Sequence, residues 1–178
     1  MSKQQLKPPV NDRDHIQGNK NAPIELVEYG DYQCPHCGRA YPIIKSIQER
    51  MGDRLKFIFR NFPLTEIHPE AFGAALAAEA AAHQDKFWEM HDIIFEHQRH
   101  LQAENILQYA KRVGLNMAIF SKDIQQQLFI DKVEDDIESG IRSGVNGTPS
   151  FYVNGAKYNG SWEEEDFVEF LQGLLVKI

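Results

Sequence analysis

The sequence predicts an α/β fold: a central mixed β-sheet with helices on both faces and a helical block inserted between its strands. Three observations carry this. Short runs of β-branched and aromatic residues, each bounded by turn residues, lie near both ends of the chain. Between them, from Glu70 to Gly144, apolar residues recur at helical spacing and no convincing strand appears. A β-α-β order at the start supplies parallel strands, and a hairpin near the end supplies antiparallel ones.

Taken in order, the chain opens with a polar stretch and a short extended piece near His15-Ile16. Gly18-Asn19-Lys20-Asn21 is a turn. Ile24 to Tyr29 reads as a buried strand, broken by Gly30-Asp31-Tyr32-Gln33. A helix starts at about Cys34-Pro35, with Tyr41, Ile44, Ile47 and Met51 on one apolar face, and Gly52 ends it. Leu55 to Phe62 is a second strand, stopped by Pro63. Ala71 to Ala82 is dense in alanine, the best helix former. Lys86 to His97 follows with a core stripe that includes Phe87 and Met90. Ala103 to Val113 is closed by Gly114, Asn116 caps a fourth helix, and Asp131 to Arg142 is a fifth. Pro149–Val153 and Ala156–Asn159 flank Asn154-Gly155, a strong hairpin signal. Ser161 is the expected cap of a last helix with Phe167, Phe170, Leu171 and Leu174 inward. Its first turn is acidic (Glu163 to Asp166), which suits the helix dipole.

The 178 residues are 42% hydrophobic and 25% charged, so disorder, collagen and coiled coil are excluded as whole-chain descriptions. No apolar run approaches the roughly 18 residues of a membrane span. Against 19 Lys+Arg stand 26 Asp+Glu, a net charge of −7 that argues against nucleic-acid or anionic-membrane binding. Met1 to His15 has no apolar core of a signal peptide. The expected location is the cytoplasm, with an extracytoplasmic one as the alternative where a signal has been removed.

Cys34 and Cys37 are the only cysteines. A lone CxxC is compatible with half a zinc site, a redox pair or chance. Zinc needs four ligands, and no third cysteine is present. His68, His83, His91, His97 and His100 include no HxxxH pair, so surface or core roles are expected and no metal site. The redox reading explains the placement. A cysteine at a helix N-terminus meets unpaired N–H groups and the positive end of the dipole, and both favour a thiolate. His36 adds a positive charge or an N–H donor, and Pro35 costs nothing in a first turn. Cys34 is then the nucleophile and Cys37, one turn in, the resolving thiol. Glu28 shares a strand face with Ile24 and Leu26, and burial there raises a carboxyl pKa. Lys56 and Arg60 are candidate partners for it. Phe62-Pro63-Leu64 suits either a rim of the site or plain packing.

Three segments together resemble one family: EYGDYQCPHC at 28–37, HPEAFGAALAAEAAAHQDKFWEMHDIIF at 68–95 and VNGTPSFYVNGAKYNGSW at 145–162. They are similar to the DsbA-like branch of the thioredoxin fold, over about residues 13 to 176. The resemblance implies a discontinuous thioredoxin-like domain (15–64 and 145–178), an inserted helical domain (65–144) and a polar tail (1–14). It implies a Cys34–Cys37 redox disulfide that needs no cofactor, and Glu28 beneath the second cysteine, helping to move its proton. Pro149 is then cis beside Cys34, and Thr148 offers its backbone to an extended substrate chain. Thr148 departs from DsbA itself, which has a bulkier apolar residue there. The implied substrates are proteins with thiols or disulfides. The implied redox partner is a membrane oxidase, a thioredoxin system or glutathione. An oxidase is expected. A reductase, isomerase or glutathione-linked enzyme is the alternative, and a zinc module or redox-independent chaperone lies further off.

Overall fold

A computed structural model describes residues 4–176. Five strands form one mixed sheet in the order β1-β3-β2-β4-β5. They are β1 (His15–Gly18), β2 (Ile24–Gly30), β3 (Leu55–Asn61), β4 (Ser150–Val153) and β5 (Ala156–Tyr158). β2 lies at the centre, parallel to β3 and antiparallel to β4. The short extended piece near His15 is β1, antiparallel to β3. The helix α1 (Pro35–Met51) links β2 to β3 through a 3-10 turn. Five helices follow β3: α2 (Ala71–Ala82), α3 (Phe87–Glu96), α4 (Ala103–Arg112), α5 (Met117–Gln125) and α6 (Ile130–Ser143). The last helix, α7 (Glu164–Leu175), follows the hairpin.

Strand alternation splits the core in two. Ile24, Leu26, Phe57, Phe59, Phe151 and Val153 pack with α1, α7 and much of the helical block. Val27, Tyr29, Ile58 and Tyr152 pack on the other face with Leu6 and Phe62. The central helix of the block is α2, and alanine explains its place. Ala74, Ala75, Ala77, Ala78, Ala80 and Ala81 are all buried, and only so small a side chain lets neighbours close in on nearly every side. The Asn116 side chain accepts the N–H groups of Ala118 and Ile119, the expected cap of α5. Asn154 and Gly155 take φ values of 47° and 79°, the left-handed pair of a tight hairpin.

The last helix differs from its sequence reading. It begins at Glu164, with Glu163 in the cap position and the Ser161 hydroxyl accepting the Glu163 N–H at 3.3 Å. Phe167 and Leu171 point inward. Phe170 is exposed, resting against the Tyr158 ring with centroids 4.6 Å apart. Residues 4–7 lie along the outer edge of β5, where the Leu6 N–H donates to Gly155 O and the Lys157 N–H to Gln4 O.

Neither basic residue offered to Glu28 reaches it. Arg60 stands opposite Tyr29 in the ladder, and Lys56 stands opposite Glu25, so both project from the face that Glu28 does not share. Lys56 pairs with Glu25 at 3.0 Å. Arg60 is buried and holds both Asp14 oxygens, at 2.8 and 2.7 Å, and also donates to the Tyr29 hydroxyl. Burial pushes the Asp14 carboxyl up, but the Arg60 hydrogen bonds and charge outweigh it and hold the group below its ordinary value. Asp14→Ala would leave a buried guanidinium unpaired. We expect a loss of about 3–5 kcal/mol in urea unfolding, with the chemistry of Cys34 in the remaining folded protein unchanged.

Candidate active site

β2 ends at Gly30, and a three-residue turn delivers Cys34 to the cap position of α1. Its φ and ψ are −68° and 122°, extended, so its side chain lies at the mouth of the helix. Pro35 occupies the first turn without sacrificing a hydrogen bond. Cys34 and Cys37 are both buried and both thiols in this structure.

The two sulfurs are driven in opposite directions. The Cys37 thiol donates to Cys34 Sγ, the largest influence on it. Burial opposes, while the Thr148 hydroxyl and the N–H groups of Cys37 and His36 assist; the Cys34 thiol is lowered to about 5. Cys37 is pushed far up, first by burial, then by its bond to Cys34 and by the charge of Glu28. His36 acts here through its backbone, since its ring is exposed. The Thr148 hydroxyl is buried and has no hydrogen-bond partner, so a thiolate at Cys34 would be a natural acceptor for it. The Thr148 carbonyl lies 3.5 Å from Cys34 Sγ, and the Thr148–Pro149 bond is cis. A pH series of iodoacetamide labelling on the reduced protein should show Cys34 reacting with a midpoint near 5 and Cys37 silent through neutral pH. A midpoint at an ordinary thiol value would show that these donors do not act.

Glu28 is 3% exposed, and its Oε1 has no hydrogen-bond partner. Burial, and then the charge of Cys34, raise it to about 8, so it is protonated at neutral pH. Asp31 and Gln98 join the site without having been singled out from the sequence, and His68, expected in a surface or core role, joins them. Asp31, fully buried, accepts the N–H groups of Gln33 (2.7 Å) and Cys34 (3.1 Å) on one oxygen. Its other oxygen accepts the Leu64 N–H and the His68 ring, both at 2.8 Å. The Asp31 N–H itself points at Cys37 Sγ, 3.4 Å away. Gln98 donates to the carbonyls of Tyr32 and Cys34. An Asp just ahead of a helix is a legible turn signal, but nothing local in sequence joins it to His68 or Gln98.

His91 and His83 have structural partners. His91 is buried in a ring of aromatics and bonded to the Tyr32 hydroxyl, and burial lowers its pKa far enough to keep it neutral. His83 pairs with Asp123. No group of three metal-ligating side chains occurs among the described residues. Phe62 packs in the second core with Leu64 against that cluster, whereas Ile67 beyond them is 68% exposed.

A family model described as thioredoxin matches residues 10–173. Among solved structures, oxidised BdbD from Bacillus subtilis superposes with a TM-score of 0.82 at 26% identity, covering 97% of each chain. The thiol-disulfide exchange protein alpha-DsbA2 from Wolbachia pipientis gives 0.81 at 22% identity, over 92% of this chain and 88% of that one. A curated relative, the Na(+)/H(+) antiporter NhaA 1 of Mycolicibacterium vanbaalenii, is 40% identical over 169 residues, which is 94% of this chain and 27% of that protein. The namesake from Salinispora arenicola is 40% identical over 161 residues, 90% of this chain and 24% of that one. The chain thus spans about a quarter of the length of these curated relatives. Among the described residues, no helix is long and apolar enough to cross a membrane.

Proposed function

The chain belongs to the thioredoxin family and has its DsbA-like form, and from that premise we propose that it oxidises protein thiols through a Cys34–Cys37 disulfide. A substrate thiolate attacks Cys34 Sγ in the disulfide. The Cys34–Cys37 bond breaks, and Cys37 leaves with the electron pair and takes a proton from Glu28. The substrate's second thiolate then attacks its own sulfur in the mixed disulfide and expels Cys34 as thiolate. Two substrate thiols become one disulfide, and the enzyme is left as the dithiol. The extended Thr148-Pro149 segment holds the substrate chain by its backbone during the exchange. A redox partner, such as a membrane oxidase, restores the disulfide.

The observation that carries this reading is the place of Cys34 in the cap position of α1, its Sγ 3.5 Å from the Thr148 carbonyl, with Cys37 buried behind it. A thiol at about 5 is almost wholly ionised at pH 7. Relative to an ordinary thiol this favours the reduced pair about 100-fold, which makes the disulfide more oxidising by about 60 mV. Oxidation does net work only where thiols are not held reduced, which favours the extracytoplasmic alternative over a cytoplasmic location. The antiport named for the curated relatives is not carried over, because the matched part is a minor share of their length.

The reduction potential decides the direction. Equilibration with glutathione mixtures at pH 7, with trapped thiols as readout, should give a value nearer the roughly −120 mV of DsbA than the roughly −270 mV of thioredoxin. A value at the thioredoxin end would make the protein a reductase working with the same residues. Thr148 is the feature that favours that second reading, since it departs from the bulkier residue of DsbA beside the reactive sulfur.

A further inference from the structure

Two side chains from the segments flanking α2 and α3 reach back to the turn that presents Cys34, and the exchange steps use neither. His68, ahead of α2, sets Nδ1 2.8 Å from Asp31 Oδ2. A carboxylate only accepts, so Nδ1 carries the hydrogen. The other donors to Asp31 are backbone N–H groups of Gln33, Cys34 and Leu64. Gln98, after α3, sends its amide nitrogen to Tyr32 O at 3.0 Å and to Cys34 O at 2.7 Å. Gly38 leaves room for this approach, because a Cβ there would collide with the Gln98 amide. The turn is therefore held from both sides by residues that follow β3.

We propose that His68 and Gln98 are positioning residues for the exchange at Cys34: through Asp31 and two turn carbonyls they fix residues 31–34 so that the N–H groups opening α1 converge on the sulfur. The proposal rests on the exchange reading above. A hydrogen bond weakens steeply once its angle opens, so a turn displaced by an ångström loses donors to the thiolate. His68 has a second effect, because it places a donor against a buried carboxylate that otherwise opposes a negative charge on Cys34. The titratable groups around the sulfur are Cys37 and His36 on α1, Glu28 on β2, and Asp31 with His68 at the turn.

The test reads thiolate absorbance against pH, with urea stability and reduction potential measured on the same proteins, each carrying the whole 178-residue sequence. Variants are His68→Ala, His68→Asn, Gln98→Leu and Gly38→Ala. His68→Ala and Gln98→Leu should raise the Cys34 midpoint by about one pH unit and make the disulfide correspondingly less oxidising. His68→Asn, whose amide nitrogen stands near the place of Nδ1, should restore most of the wild-type midpoint. Gly38→Ala displaces Gln98 without altering it and should move the midpoint as Gln98→Leu does. These last two carry the test if His68→Ala does not fold. Folded variants with wild-type midpoints and only reduced stability would overturn the proposal and leave these residues a purely structural part. A wild-type protein with no thiolate transition at acid pH would instead undo the exchange reading itself.

Discussion

Cys34→Ser is expected to abolish thiol–disulfide exchange, a loss of about 10³-fold or more, because a hydroxyl at this place offers neither a thiolate nor a sulfur to attack. The assay is oxidation of a reduced, unfolded two-cysteine protein, followed by gel shift of the trapped thiols. Cys37→Ser should behave differently. It keeps Cys34 and, through the serine hydroxyl, a donor to it, but it removes the resolving thiol. A covalent mixed disulfide with substrate or glutathione should therefore accumulate and resist turnover. Cys37→Ala should accumulate the same species and also raise the Cys34 midpoint, since the largest influence on that thiol is the Cys37 donor. Binding or refolding of an unfolded chain that survives in Cys34→Ser, with exchange lost, would point to a chaperone-like role that needs no redox chemistry.

Glu28→Leu should stabilise the protein and slow it. A carboxyl raised to about 8 in the folded chain, against an ordinary 4.5, must be kept protonated at neutral pH. The sign follows from proton binding. Between pH 4.5 and 8 the folded state binds more protons than the unfolded one at this group, so stability falls as pH rises through that window. At pH 7 the cost is roughly 3 kcal/mol, and leucine removes it. Cys34 works in the opposite sense in the dithiol, because its lowered pKa makes stability rise with pH from about 5 upward. The measurement therefore belongs on the disulfide form, where neither cysteine titrates and burial alone raises Glu28. Urea midpoints should fall from pH 5 to 8 in the wild type and stay flat in Glu28→Leu. Exchange should slow in the same variant, because Cys37 loses its proton donor. Parallel pH profiles for the two proteins would show that Glu28 is not the buried acid described.

What could be read from the residues was whatever local order encodes. Ile24 to Tyr29 declares itself by composition, Ala71 to Ala82 by alanine, and Asn154-Gly155 by a turn that only left-handed residues make. The Cys-Pro-His-Cys placement at a strand-to-helix junction was legible for the same reason. Contacts between distant segments were not. Nothing near Arg60 says that its carboxylate is Asp14, 46 residues earlier and just ahead of the neighbouring strand. Only the ladder register shows that Arg60 and Glu28 stand on opposite faces. The same holds for Asp31 and His68, 37 residues apart, and for Gln98 and Cys34, 64 apart. Of the two contributions expected of His36, a positive charge or an N–H donor, the backbone amide is the one that bears on Cys34.

The central strand pairs on one side with β3, which follows soon after it, and on the other with β4, where Leu26 faces Val153 and Tyr29 faces Ser150. That second pairing spans most of the chain. During synthesis β2, α1 and β3 are complete long before β4 emerges, so Cys34 and Cys37 exist as a pair before Thr148 can be beside them. Closing so long a loop carries an entropic cost that is met only when the helical block has condensed. The order of assembly thus delays reactivity. On the proposed reading, a nascent chain holds its cysteines without the Thr148 backbone beside them, and the capacity for exchange arrives with the final hairpin. Incomplete or truncated copies are left thiol-bearing but unable to engage a partner chain in register.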